Sequence, residues 1–135
     1  MTDAALELQK AVFGALAANA ALVSALGGRK LHDLAPARTA YPYVTFGPAS
    51  THDWSTDTEE GDEHFFTINV WSNGKGRSEA LQLMGLIETA LAALPAAITP
   101  YVLVNLRRES REIRFDEDLA AYHGLMRFRA VTEPA

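Results

Sequence analysis

The stretch WSNGKGRSEA, Trp71 to Ala80, has the residue types of a phosphate-binding loop. Gly74 and Gly76 flank Lys75, Arg77 and Ser78 follow, and a helical pattern begins at once. A phosphate loop of the Walker type needs four residues between its first glycine and Gly-Lys-Ser/Thr, so that successive N–H groups wrap the phosphate. Here Gly74 and Gly76 are separated by Lys75 alone, and Arg77 divides Gly76 from Ser78. A dinucleotide GxGxxG is missing too, because position 79 is Glu79, whose charge would oppose a phosphate. Every residue fits a corner between a strand and a helix instead. Asn73-Gly74 is expected to supply positive φ, Gly76 a second permissive position, Ser78 the helix cap, and Glu79 a charge suited to the helix start.

The other reactive side chains form no stronger constellation. His32, His52, His64 and His123 are scattered, and no two share the spacing that puts ligands on one helix face. His52, Asp53 and His64 could meet across a hairpin, with neighbouring acids completing a divalent site, but such a cluster is more often a solvated polar arm. DTEEGDE lacks the spacing and terminal glutamate of a calcium loop. No serine sits in a GxSxG elbow. Cysteine is absent, which excludes a disulfide framework, a thiolate zinc site and a cysteine nucleophile. Neither catalytic nor cofactor-binding nor metal-binding residues are assigned, and no enzyme activity is expected.

Two charged segments remain. ASTHDWSTDTEEGDEH, Ala49 to His64, holds six acids and no lysine or arginine, and reads as a long polar hairpin arm or loop. RRESREIRFDED, Arg107 to Asp118, holds four arginines among five acids. Its own carboxylates neutralise it as a nucleic-acid strip. In a regular strand, Arg107, Glu109 and Arg111 share one side, and Arg108, Ser110, Glu112 and Arg114 the other. Mixed rows of this kind suit a subunit interface, or an ordinary salt-bridged edge strand.

The elements that must position these groups follow from periodicity. Leu8, Val12, Ala15 and Leu16 give a first helix after an N-cap at Thr2 or Asp3. Ala20–Leu26 gives a second short helix, capped by Asn19 and ended by Gly27-Gly28. Arg29–Leu34 reads as a short strand, and Tyr43–Gly47 as another between Pro42 and Pro48. His64–Ser72 alternates, with Phe66, Ile68 and Val70 on one face and Phe65, Thr67, Asn69 and Trp71 on the other. Leu83, Met84, Ile87, Ala90, Leu91 and Leu94 form the clearest helical stripe, stopped by Pro95. Val102, Val104 and Leu106 begin a strand whose apolar phase slips toward Ile113 and Phe115, which predicts a bulge near Arg107–Glu112. Tyr122–Thr132 turns Met126, Phe128 and Ala130 inward, and Arg127 and Arg129 outward. The expectation is one α+β domain over residues 1–135, with a mostly antiparallel sheet of four or five strands and two main helices on one face. The 135 residues are enough for a single core, no apolar run approaches the ~18 of a membrane span, and the N-terminus lacks the pattern of a secretory signal. A net charge of −5 argues against general nucleic-acid affinity.

In order and spacing, several segments resemble the tail-terminator (tail-completion) proteins of long-tailed bacteriophages, prophages and gene transfer agents. They are the Gly27-Gly28-Arg29-Lys30 strand start, Pro42-Tyr43-Val44-Thr45, Asp53-Trp54-Ser55-Thr56, Val70-Trp71-Ser72 with Gly76-Arg77, and Gly124 through Arg129. The resemblance runs from about Leu6 to Val131. It implies a non-enzymatic virion subunit, assembled in the host cytoplasm, that forms a hexameric ring on the tail tube at the head–tail junction. There it would stop tube polymerisation and offer a docking surface to a head connector or stopper protein, with DNA passing through unbound. In that setting Arg107, Arg108, Arg111 and Arg114, with Trp54 as an anchor, are expected at a subunit interface. Trp54 folded back on its own sheet is the alternative. Acids among Asp53, Asp57, Glu59, Glu60, Asp62 and Glu63 are expected to face the channel or the adjoining ring, since an acidic lining repels duplex phosphates. The alternatives are a head–tail connector or tube subunit of the same particle, or a small metal- or ligand-binding enzyme domain.

Overall fold

In the computed structural model, which describes residues 3–135, the chain runs α1 (Ala4–Ala18), α2 (Ala20–Leu26), β1 (Leu31–His32), β2 (Tyr43–Asp53), β3 (Asp62–Ser72), α3 (Ser78–Ala92), β4 (Ala97–Ile98), β5 (Tyr101–Asp116) and β6 (Ala121–Pro134). Asp3 caps α1 by accepting the Ala5 N–H, and Thr2 lies outside the described residues. Asn19 accepts the Leu22 N–H at the start of α2, and Gly27 ends it in the left-handed region at φ 78°.

The strands form one six-stranded sheet in the order β1-β2-β3-β6-β5-β4, antiparallel except for β1 beside β2. Expectation had four or five strands; the sixth is β4, two residues paired to the start of β5. Only Leu31 and His32 of the expected Arg29–Leu34 strand pair with the sheet.

Three helices cover one face. Leu8, Val12 and Leu16 of α1 and Leu22 and Leu26 of α2 meet Leu83, Met84, Ile87 and Leu91 of α3, over Val44, Ile68, Val70, Met126, Phe128 and Ala130. Phe66 stacks on Phe128, with centroids 5.2 Å apart. Gly124 lets α3 approach the sheet closely: a Cβ there would lie 2.8 Å from Met84 Sδ, so the methionine would have to shift. Burying each of these branched side chains contributes on the order of 1.5–3 kcal/mol before entropy is charged.

Three local expectations change. Pro48 does not end β2, which continues to Asp53 because a register shift between Phe46 and Ala49 absorbs the proline. In the glycine turn only Gly76 has positive φ, at 79°. Asn73 and Gly74 do not, and Gly74 serves close approach to Ser72 and Glu79 instead. Ser78 is the first helical residue, and the cap position is Arg77, whose side chain makes no capping bond. The corner is held by buried Ser72, whose Oγ donates to Glu79 Oε1 at 2.5 Å and accepts the Gly74 N–H at 3.1 Å.

Candidate interaction surface

The acidic arm is the end of the β2–β3 hairpin. Asp53 pairs with Asp62 at the last ladder position, and the tip closes with Trp54 N–H to Gly61 O at 2.9 Å and Thr56 N–H to Glu59 O at 2.8 Å. The six acids then separate. The Ser55 hydroxyl, and after it the Ser55 backbone N–H, hold the Asp53 carboxyl below the usual aspartate range. Glu63 accepts from Arg129 Nε at 2.6 Å in a half-buried ion pair. Asp57, Glu59 and Glu60 are exposed, and their carboxylates have no ion pair among the described residues.

Trp54 is 52% exposed, and the Arg129 guanidinium lies 5.4 Å from its ring centre. The ring therefore leans on its own sheet through a cation–π contact and leaves its other half in solvent.

The arginine segment lies on β5, opposite β6, and the predicted bulge falls between Arg108 and Ser110. That extra residue reverses the facing predicted for a regular strand. Arg108 and Arg111 share the helix side, where both reach Glu88 of α3; Arg111 Nη1 is 3.5 Å from Glu88 Oε1. Arg107, Ser110, Glu112 and Arg114 share the open side, by their register with Arg129, Arg127, Leu125 and His123. Arg114 Nη2 is 2.9 Å from Glu112 Oε1. The four arginines are thus split two and two, not gathered in one row.

The open face carries more than the sequence singled out. Tyr43, Trp71 and His123 stack across β2, β3 and β6, with Trp71 and His123 at 4.0 Å and 9° between planes. Trp71 Nε1 donates to Thr45 Oγ1 at 3.1 Å, and His123 Nε2 donates to Asn69 Oδ1 at 2.7 Å. Arg127 and Arg129 share this face. Their outward alternation was legible, but their approach to Arg107 depends on β5–β6 register, which no local pattern encodes.

His52 and His64 cannot share a metal from one face: His52 pairs with Glu63 on the open side, while His64 faces the helices. His64 lies in a groove beneath α1, 2% exposed, with Nε2 2.8 Å from Thr132 Oγ1 and Nδ1 3.1 Å from Thr51 Oγ1. Both nitrogens are occupied by hydroxyls, so the ring is not offered as a base. Among the described residues, no three His, Asp or Glu side chains converge.

A family model described as tail completion protein gp17 matches residues 10–133. This chain belongs to that family. A chain of the virion of a native gene transfer agent particle superposes with a TM-score of 0.84 at 29% identity, over 98% of this chain and 99% of that one. The gp17 protein of bacteriophage SPP1 shares the fold, with a TM-score of 0.62 at 23% identity over 94% and 89% of the two chains. A search of curated proteins found no match. The tail completion family is a structural class of phage tail proteins, not an enzyme class.

Proposed function

We propose that this tail completion protein forms a ring, hexameric by resemblance to tail terminators, that caps the tail tube and stops its polymerisation. The ring also offers the surface on which a head connector or stopper protein docks, and it sits at the head–tail junction after assembly in the host cytoplasm. The observation that carries this reading is the family match across residues 10–133, supported by likeness to a gene transfer agent virion chain over nearly its full length. Self-association, the tube protein and the connector are the partners. DNA crosses the ring without a dedicated binding site, in keeping with a chain of net charge −5.

The geometry fits a contact protein. One sheet face is free of helices, β2 and β5 leave long edges, and the hairpin tip carries charge away from the core. Unlike surfaces that meet head to tail generate a ring when the rotation closes. Because Asp53 and Glu63 are engaged within the chain, the acids of the arm left to meet another surface are Asp57, Glu59, Glu60 and Asp62.

The test is to incubate the purified protein with its own tail tubes and image their ends by electron microscopy. A single added ring at one end, with no further growth when tube subunits are supplied, is the expected result. Naked ends with continued growth would replace this reading by a head-side connector, and long tubes built from the protein alone would make it a tube subunit.

A further inference from the structure

The middle of the open sheet face gathers arginines although the chain is acidic overall. Arg107 stands directly across the β5–β6 ladder from Arg129, and Arg127 lies one step along the same face, across from Ser110. Arg129 is compensated internally by Glu63 and the Trp54 ring. Arg107 and Arg127 are exposed and make no hydrogen bond or ion pair among the described residues. Like charges directly opposed in a ladder weaken it. Here buried Phe128 and Ala130 flank Arg129 on β6 and pin the register, so the arginines cannot slip apart. The fold thus holds an uncompensated cation pair on an uncovered surface.

The converse surface is on the same chain. The tip holds Asp57, Glu59 and Glu60 with no lysine or arginine anywhere between Ala49 and His64. Its internal hydrogen bonds order the tip, and none of its carboxylates reaches the chain's own arginines other than Glu63 at its base.

We propose that the acidic β2–β3 tip of one copy seats on the Arg107–Arg127 patch of a neighbouring copy, a contact that rests on the ring reading above and supplies its subunit interface. The two surfaces are unlike, so the contact is heterologous and leaves a free tip and a free patch until the ring closes. Opposite charge steers the encounter and sets its register. Glu63, Glu112, Asp116 and Glu133 lie among and around the arginines on this face. They break a continuous track for a duplex backbone but leave a landing point for a short acidic turn.

The absence of cysteine makes the contact testable by cross-linking. Glu60→Cys and Arg127→Cys are purified separately, mixed, and joined with a short bis-maleimide, with and without tail tubes. A cross-linked dimer from the mixture, and not from either variant alone, is expected. Capped tubes with no cross-link would overturn this contact and keep the terminator reading. A cross-link with naked tube ends would keep the contact and remove that reading.

Charge reversal supplies the second arm. Arg107→Glu with Arg127→Glu is expected to lower capping at limiting protein by about tenfold or more. Asp57→Lys, Glu59→Lys and Glu60→Lys together should do the same, and mixing the patch and tip reversals in one chain should restore it. Arg107→Glu faces Arg129, so the subunit itself should melt at higher temperature, which separates lost assembly from lost folding. Unchanged capping, failure of the combined variant to recover, or a change confined to DNA passage would each overturn the proposal.

Discussion

At the scale of single residues, His64 shows how alternation decides chemistry. It looked available to a site with His52 and Asp53, yet strand pairing turns it into the core between Thr51 and Thr132. Burial pulls its pKa below the ordinary 6.5, against weaker opposing effects of Asp62 and Asp3. His123 shifts the same way, through burial and then Arg114. The unfolded chain therefore binds protons more readily than the folded one as pH falls. This stability is fully present above about pH 6.5 and declines below it, by at most about 1.4 kcal/mol per pH unit for each proton. Urea melts between pH 7 and 5 are expected to show that slope, and His64→Gln should flatten it. An unchanged slope in the variant would place the proton uptake elsewhere.

At the scale of elements, β5 is the most informative. Its sixteen residues carry two register shifts, and the one at Glu109 determines which arginines meet the helix. Glu88 on α3 then receives both Arg108 and Arg111. These groups are about a third or more exposed, so removing the carboxylate should cost no more than about 1 kcal/mol. Glu88→Lys goes further, because it sets three cations against one another where α3 crosses β5. Faster amide exchange over residues 107–113, with β3 unaffected, is the expected outcome by mass spectrometry. Uniform exchange across the sheet would indicate global destabilisation instead.

At the scale of the whole molecule, the sheet has one covered face, one open face and two long edges. Both edges are guarded. Pro48 and a bulge interrupt β2, while β5 carries bulges and charged side chains on both faces, which discourages pairing with stray strands. Converting Arg108 and Arg111 together to valine removes the inward charges and leaves an apolar, strand-favouring edge. The variant is expected to aggregate on mild heating, seen as rising light scattering before the melting transition. Clear solutions through that transition would show that the bulges alone protect the edge.

Local pattern was enough for much of the architecture. The stripes Leu8-Val12-Leu16 and Leu83-Met84-Ile87-Leu91, the Asn19 and Gly27 caps, the two faces of β3 and the bulge in β5 were all legible, because each depends on near neighbours and a fixed period. The motif order that marks a tail completion protein was equally present in the residues themselves. Other features required the folded chain. Pro48 remained inside a strand because a bulge accommodated it, Ser72 replaced Ser78 as the organiser of the helix start, and β1 and β4 exist only through pairing with distant strands. The partnership of Glu63 with Arg129, and of Glu88 with Arg108 and Arg111, joins residues far apart in the chain. The sequence by itself determined helix faces, the caps of α1 and α2, and family, since those follow from residue types and their spacing along the chain. Which charges are satisfied and which are left for a partner was decided only by tertiary structure, because strand register and helix docking choose each side chain's neighbours.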